Sequence, residues 1–292
     1  MRKFLSAVLL TILLLTTTAA LAEQPKPSLT DVQLAVNARY VNLGEIRVTD
    51  INELIRFIID MFESRLKAEE IDLLAERYPD IKFGWTIRLV DEHYIRTDAT
   101  AYANNHNKRS ELHKSSDFRQ LKYCTELRAL DLGHNAIDDI SFIEDLTELR
   151  VIILAGNFIT DISPLKKLEK LEYAELFNNY IEDYSPLSGL ENLIDLNICF
   201  NQTQDFTPLY GLKGLERLWV YNSNNRNSND PVSPELVADL QAQLPQCQIN
   251  STSYSTAGGW RTHERYYVVF NMLHGAVAWL PWHAEGLVPR YN

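Results

Sequence analysis

Cysteine is scarce in this chain, with three in 292 residues, at Cys124, Cys199 and Cys247. An odd number without close spacing does not make a disulfide framework, and the spacings do not suit a tetrahedral zinc site. One bridge is conceivable on the count alone, but buried free thiols are the expectation. After residue 22 there is no apolar run long enough to span a bilayer. A G-x-S-x-G nucleophile elbow and a phosphate-binding loop are both missing. "HERYY", from His263, opens like a zinc-protease motif. Tyr267 stands where a second His would have to share the helix face, so the motif fails. These absences point away from catalysis, and neither a metal nor a cofactor is expected; the one metal alternative is calcium on the ladder Asp139, Asp161, Asp183 and Asp205, whose plainer role is turn capping. Basic charge is also short, with 28 Lys and Arg against 39 Asp and Glu, a net charge of −11. Such a chain is a poor partner for nucleic acid or an anionic membrane.

The one long apolar stretch comes first. Arg2 and Lys3 precede the run from Phe4 to Leu15, and Ala20-Leu21-Ala22 is a small-x-small cleavage site. Residues 1–22 are therefore expected to be a signal peptide, with the mature chain starting at Glu23. Loss of Arg2 and Lys3 lowers the 28 basic residues to 26 and takes the net charge from −11 to −13. No Cys follows the cleavage site to carry a lipid, and no LPxTG sequence is present for a sortase. The expectation is a secreted protein, or one held non-covalently at the cell envelope.

Four stretches share one spacing: "LGHNAIDDISFI", "LAGNFITDISPL", "LFNNYIEDYSPL" and "ICFNQTQDFTPL". Leu127, Leu149, Leu171, Leu193 and Leu215 recur every 22 residues. Three positions on stand Leu130, Ile152, Ala174, Leu196 and Leu218, and two further Leu132, Leu154, Leu176, Ile198 and Val220. Asn135, Asn157, Asn179 and Asn201 follow, with Ser223 in the fifth place. This is L-x-x-L-x-L-x-x-N in register. The alternation places paired aliphatics on one face of a short strand and the residues between them on the other. A single unit buries too little apolar surface to fold alone, so units must stack. The Asn leaves the strand where stacking has removed turn backbone from water, and its amide can satisfy that backbone. Pro164, Pro186 and Pro208 suit a tight 3₁₀ turn, and Asp139, Asp161, Asp183 and Asp205 stand where they can cap it.

The run from about Asp117 to Asn225 resembles the internalin-type 22-residue leucine-rich repeat of bacterial surface and secreted proteins, on "NFITDISPL" and "NYIEDYSPL". The tail "LPQCQINSTSYSTAGGWRTHERYY" is similar to the end of secreted leucine-rich-repeat proteins of Gram-positive anaerobes. The first resemblance implies an α/β fold: a curved right-handed solenoid with a concave parallel β-sheet that binds another protein there. Host adhesion is the role it implies, and the missing anchor weakens that role.

A solenoid exposes core at both ends and needs caps. "TDINELIRFIIDMFESR" has helical apolar spacing, and "EEIDLLAERYPDIKFGWTIRLV" reads as helix, proline stop and strand. "SPELVADLQAQLPQCQINS" repeats that design, with Ser233 at the N-cap and Pro234 at the first helical position. The flanks are thus expected to be α/β caps, divergent units of the same solenoid. "RYYVVFNML" reads as strand or short helix lying back on the last unit. The division expected is signal peptide 1–22, N-terminal α/β cap region 23–112, repeats 113–225, and helix-strand cap with aromatic tail 226–292.

Alternation assigns the concave face: Ala129, Val151, Tyr173, Asp195 and Arg217 in one row, Asp131, Ile153, Glu175, Asn197 and Trp219 in the next, and Gly133, Ala155, Phe177, Cys199 and Tyr221 in the third. Aromatic residues with Arg are what protein hot spots favour. Tyr173, Glu175, Phe177, Asp195, Asn197, Arg217, Trp219 and Tyr221 are therefore the candidate binding residues, with Asn135, Asn157, Asn179 and Asn201 structural. The bland alternative is that the aromatic tail covers this face and turns it into core. The function expected is an exported, non-catalytic protein-binding module. Behind it stand a self-associating envelope scaffold and, last, a hydrolase in the tail that depends on His263.

Overall fold

The computed structural model of the chain describes residues 40–42, 58–61, 68–77, 83–89, 94–104, 112–221, 231–252 and 259–274. The expected signal peptide lies outside them. No helix among the described residues is long and apolar enough to cross a membrane.

Near the N-terminus β1 (Tyr40–Asn42), β2 (Ile58–Met61) and β3 (Phe83–Arg88) pair in parallel, and β4 (Tyr94–Arg96) joins β3 antiparallel. Helix α1 (Ala68–Arg77) links β2 to β3 and buries Ile71. Two expectations are corrected here. The helical spacing around "RFIIDM" is a strand at Ile58–Met61, because the β-branched pair Ile58 and Ile59 sits between two strand neighbours and pairing overrides periodicity. The remainder of that stretch lies outside the described residues. Nor is β3 a divergent unit of the solenoid, since its partners are β2 and β4. That place is taken by a strand the sequence did not announce, β5 (Ala101–Ala103) in "TAYAN".

The solenoid itself is one parallel sheet of seven strands: β5, β6 (Ala129–Asp131), β7 (Val151–Ile153), β8 (Tyr173–Glu175), β9 (Asp195–Asn197), β10 (Arg217–Trp219) and β11 (Gln248–Asn250), each paired with the next. The register Ala129↔Val151↔Tyr173↔Asp195↔Arg217 is the first row read from the sequence. The middle residue of each strand points inward: Leu130, Ile152, Ala174, Leu196 and Leu218 are fully buried in one continuous core. Short helix α2 (Ser115–Phe118) precedes the first repeat and buries Phe118 against that core. At the far end α3 (Pro234–Gln243) begins at Ser233, whose hydroxyl accepts from Leu236 N at 3.3 Å, and leads into β11. Leu240, Leu244 and Cys247 close the core there. α1 docks the other end, where Tyr123 Oη donates to Asp72 and Lys122 Nζ lies 2.9 Å from the same carboxylate.

The ladder Asn residues are buried and spend their amides on turn backbone. Asn179 Nδ2 donates to Leu154 O and Leu176 O, both at 3.0 Å, and its Oδ1 accepts from Ile159 N at 3.1 Å. Asn157 and Asn201 repeat this one unit earlier and later, and Asn135 does so toward Asn104 O and His113 N. Each amide therefore ties two units together. The residue before each ladder Asn is in the left-handed region: His134, Gly156, Asn178 and Phe200, with φ between 55° and 71°. The chain must turn sharply inward there to bring the amide under the strand. Only Gly156 meets the demand without steric cost. On the opposite side Asp139, Asp161, Asp183 and Asp205 each accept the backbone N–H two residues on, at 2.7 to 3.0 Å, and a hydroxyl of the same Ser or Thr. These carboxylates start the 3₁₀ turns in which Pro164, Pro186 and Pro208 sit.

Candidate functional site

The outer face of the sheet is not open. Helix α4 (Glu264–His274) lies across it, over β5 and β6, with Trp260 just ahead of it over β8 and β10. The undecided reading of "RYYVVFNML" resolves as helix, and the expectation that it lies back on the last unit is corrected, since it crosses to the first strands of the sheet. A second apolar core forms between sheet and helix: Val151, Ile153, Tyr173, Phe177 and Trp219 from below, Trp260, Val269 and Met272 from above.

This corrects the expectation that the candidate binding residues face solvent. Tyr173, Glu175, Phe177, Asp195, Asn197, Arg217 and Trp219 are all buried, none above 4 % exposed, and Tyr221 is half-buried. The direction of each side chain follows from alternation. The cover does not, because it comes from residues far along the chain. Cys199, on the outward face, is buried by the same cover, and all three cysteines are free and buried.

The charged residues beneath the cover form a compact network. Asp195 is fully buried and takes two guanidinium groups. Arg217 Nε donates to its Oδ1 at 3.0 Å, and Arg217 Nη2 reaches Oδ2. Arg265, from α4, donates through Nε to Oδ2 at 3.0 Å and through Nη2 to Oδ1 at 2.8 Å. Arg265 Nη1 also reaches Glu216, so two cations face two carboxylates. Arg217 lies over the Trp260 ring, 4.4 Å from its centroid. Charges this deep are tolerated only when paired and hydrogen-bonded on every side.

Toward β6 the cover leaves a recess of about 40 Å³, lined by Asp131, His134, Glu175, Phe177, Arg261, Tyr266 and Phe270 among others. That is room for a water or two, not for a substrate. Burial pushes Glu175 above the usual carboxylate range, against the hydroxyl of Tyr173, which donates to it. Burial, and after it the nearby Arg261, push His134 below its ordinary value. Among the described residues no cluster of His, Cys, Asp or Glu could hold a metal. His263 sits at the start of α4, where its Nδ1 accepts from Arg265 N at 3.2 Å and its carbonyl from Tyr266 N at 3.0 Å. Its position is that of a helix cap.

Trp260 was singled out from the sequence only as part of the aromatic tail, and Arg265, Arg261 and His134 were not singled out as parts of this site. A signal was present: Arg265, Val269 and Met272 fall at i, i+4 and i+7, one helical stripe with a cation at its head. Asp195 was already written in the middle of the face to receive that cation. On the other side of the helix Tyr267 and Phe270 are 54 % and 45 % exposed. Tyr266 stacks on Phe270 at 6.1 Å, and Arg261 lies over the Tyr266 ring at 5.8 Å.

The family model for leucine-rich repeats in two copies matches residues 125–167 and 147–189. No curated protein sequence matches the chain. Among solved structures, internalin C2 of Listeria monocytogenes is 19% identical over 72% of this chain and 71% of its own, with a TM-score of 0.39. A second Listeria monocytogenes internalin is 19% identical over 75% of this chain and 68% of its own, with a TM-score of 0.40. A leucine-rich-repeat protein of Leptospira interrogans is 26% identical over 45% of this chain and 33% of its own, with a TM-score of 0.39. With its seven parallel strands, its 22-residue register and its buried Asn ladder, the repeat region is a leucine-rich-repeat solenoid.

Proposed function

We propose that this chain is an exported, non-catalytic protein-binding module that meets its partner on the aromatic side of α4. Leucine-rich repeats are commonly protein-binding and typically non-catalytic. Export rests on the basic start, apolar run and Ala20-Leu21-Ala22 of the first 22 residues. The observation that carries the choice of surface is the exposure of Tyr267 and Phe270 on the helix that fills the concave face. With Tyr266 and Arg261 they form a patch of aromatic rings and a guanidinium, the chemistry of interface hot spots. Tyr173, Glu175, Phe177, Asp195, Asn197, Arg217 and Trp219 then serve recognition from beneath, by holding α4 in place. Half-buried Tyr221 packs edge-on against Phe200, with ring centroids 5.4 Å apart.

The test is capture from cell-envelope and host-surface fractions by the mature chain, wild type against the Tyr267→Ala/Phe270→Ala double variant. The double variant should melt at the wild-type temperature and release the captured protein. Undiminished capture by a folded double variant would reject this surface. A chain of wild-type sequence that leaves the cell with Met1 intact would reject cleavage at Glu23.

A further inference from the structure

The solenoid is complete without residues 259–274. Its inner core runs from α1 through every repeat to Leu240, Leu244 and Cys247. Among the described residues, none of 259–274 belongs to that core. The segment contributes to the second core alone, through Trp260, Val269 and Met272. It also runs the length of the face, from Trp260 over β10 to the end of α4 over β5 and β6. The 11 residues of α4 rise ~16 Å, close to the ~15–19 Å that separates three or four strands.

What the segment covers is not written as a permanent interior. Asp131, Glu175, Asp195, Asn197 and Arg217 are all buried beneath it. Apolar residues of the same shape would hold a helix there at least as well, since desolvating charges offsets most of what their pairing returns. Bare, the face would present these hydratable groups among the apolar residues of the second core, so it offers a ligand both charge and apolar surface. The segment answers the polar groups in kind. Arg265 forks onto Asp195, and Trp260 stacks on Arg217 while its ring packs 5.5 Å from Tyr173 and 5.9 Å from Trp219. An indole and, five residues on, a guanidinium make the recognition, followed by a helix that turns Val269 and Met272 down. That is how a face treats a ligand.

We propose that residues 259–274 are an exchangeable ligand of the concave face, and that the partner which exchanges with them is the same segment of a second copy of this chain. A second copy carries the matching indole and guanidinium at the matching spacing. Each chain therefore recovers from its neighbour the interactions it gives up, as in any exchange of an identical element. The tether keeps the chain's own segment at an effective concentration on the order of millimolar, so exchange is a property of crowded copies on a surface rather than of dilute solution. This goes beyond the binding surface proposed above, because it concerns the floor beneath α4 and not the outer side of the helix.

The test uses the full chain with Arg265→Glu, which sets a third carboxylate against Asp195 and Glu216 and unseats the segment while leaving the floor intact. A fluorescent peptide of residues 259–274 in the wild-type sequence is the probe. It should bind this variant saturably and at least tenfold tighter than the wild-type chain, whose face is filled. Adding Asp195→Asn to the acceptor should weaken the peptide at least tenfold. Light scattering should then find a heterodimer when the Arg265→Glu chain, with a good floor, is mixed with a Trp219→Ala/Asp195→Asn chain, with a good segment, and in neither alone. Equal binding of the peptide to variant and wild type, or no binding to a variant with native circular dichroism, overturns the proposal. Loss of the solenoid's dichroism in the Arg265→Glu chain overturns it too, since the inner core is held to be independent. Peptide binding without a heterodimer rejects the second copy as the partner.

Discussion

Leu176 and Phe177 are consecutive residues buried in two different cores. Leu176 points into the solenoid and is fully buried, and Phe177 points out of the sheet and is buried under α4 at 4 % exposure. Alternation along a strand separates them, and the C-terminal helix makes the outward direction an interior one.

The two truncations should therefore both destabilise, but in different places. Leu176→Ala is expected to cost ~2–5 kcal/mol and Phe177→Ala ~3–5 kcal/mol, through reduced burial and the cavity left. Urea unfolding gives the magnitudes. Hydrogen exchange separates the sites: Phe177→Ala should release the amides of α4 and spare β7 to β9, whereas Leu176→Ala should weaken the ladder itself. Stability unchanged within about 0.5 kcal/mol for Phe177→Ala would mean that the face is open in solution.

Removing the amide of Asn179 strands Ile159 N in the turn, while Leu154 O and Leu176 O each lose one of two donors and keep Asn157 and Asn201. At ~1–3 kcal/mol for each group left without a partner, Asn179→Ala should lower the thermal midpoint clearly. The wild-type midpoint, with partner binding abolished instead, would identify Asn179 as a contact residue.

Asp195 holds Arg217 and Arg265 together, both of them nearly inaccessible to solvent. Asp195→Asn removes the carboxylate that both guanidinium groups share and leaves Glu216 to Arg265, and should cost ~3–5 kcal/mol. Because the pair is shielded from solvent, 0.5 M salt should not reproduce the loss. A salt-induced loss equal to that of the variant would show that the network is hydrated.

Glu175 supplies the pH test. Burial raises it above its ordinary 4.5, so between that value and its raised one the folded chain holds a proton that the unfolded chain gives up. The contribution of this group to stability is then greatest at low pH and falls as the pH rises through that window. Glu175→Gln keeps an acceptor for the Tyr173 hydroxyl and removes the titration. The variant should be at least as stable as wild type at pH 8, and its advantage should shrink toward pH 4. Urea midpoints at the two pH values measure the difference. A larger advantage at pH 4 than at pH 8 contradicts the burial.

The repeat region was legible because each of its features is local. Leu-x-x-Leu-x-Leu and Asn every 22 residues specify strand, turn and stacking direction within a single unit, and neighbours repeat it. Ser233, Pro234 and Pro245 marked α3 and its end for the same reason. The flanks were less legible where pairing outvotes periodicity. Ile58 and Ile59 have helical company in sequence but strand company in space, and Ala101–Ala103 is too short and plain to announce itself. Which way Tyr173, Asp195, Arg217 and Trp219 point was set by the sequence, through the two-residue period of a strand. Whether that direction leads to solvent was decided only in three dimensions. Arg265 meets Asp195 across 70 residues of sequence. A contact at that separation leaves no periodicity behind, because it depends on the shape of a finished sheet and on the chain returning over it.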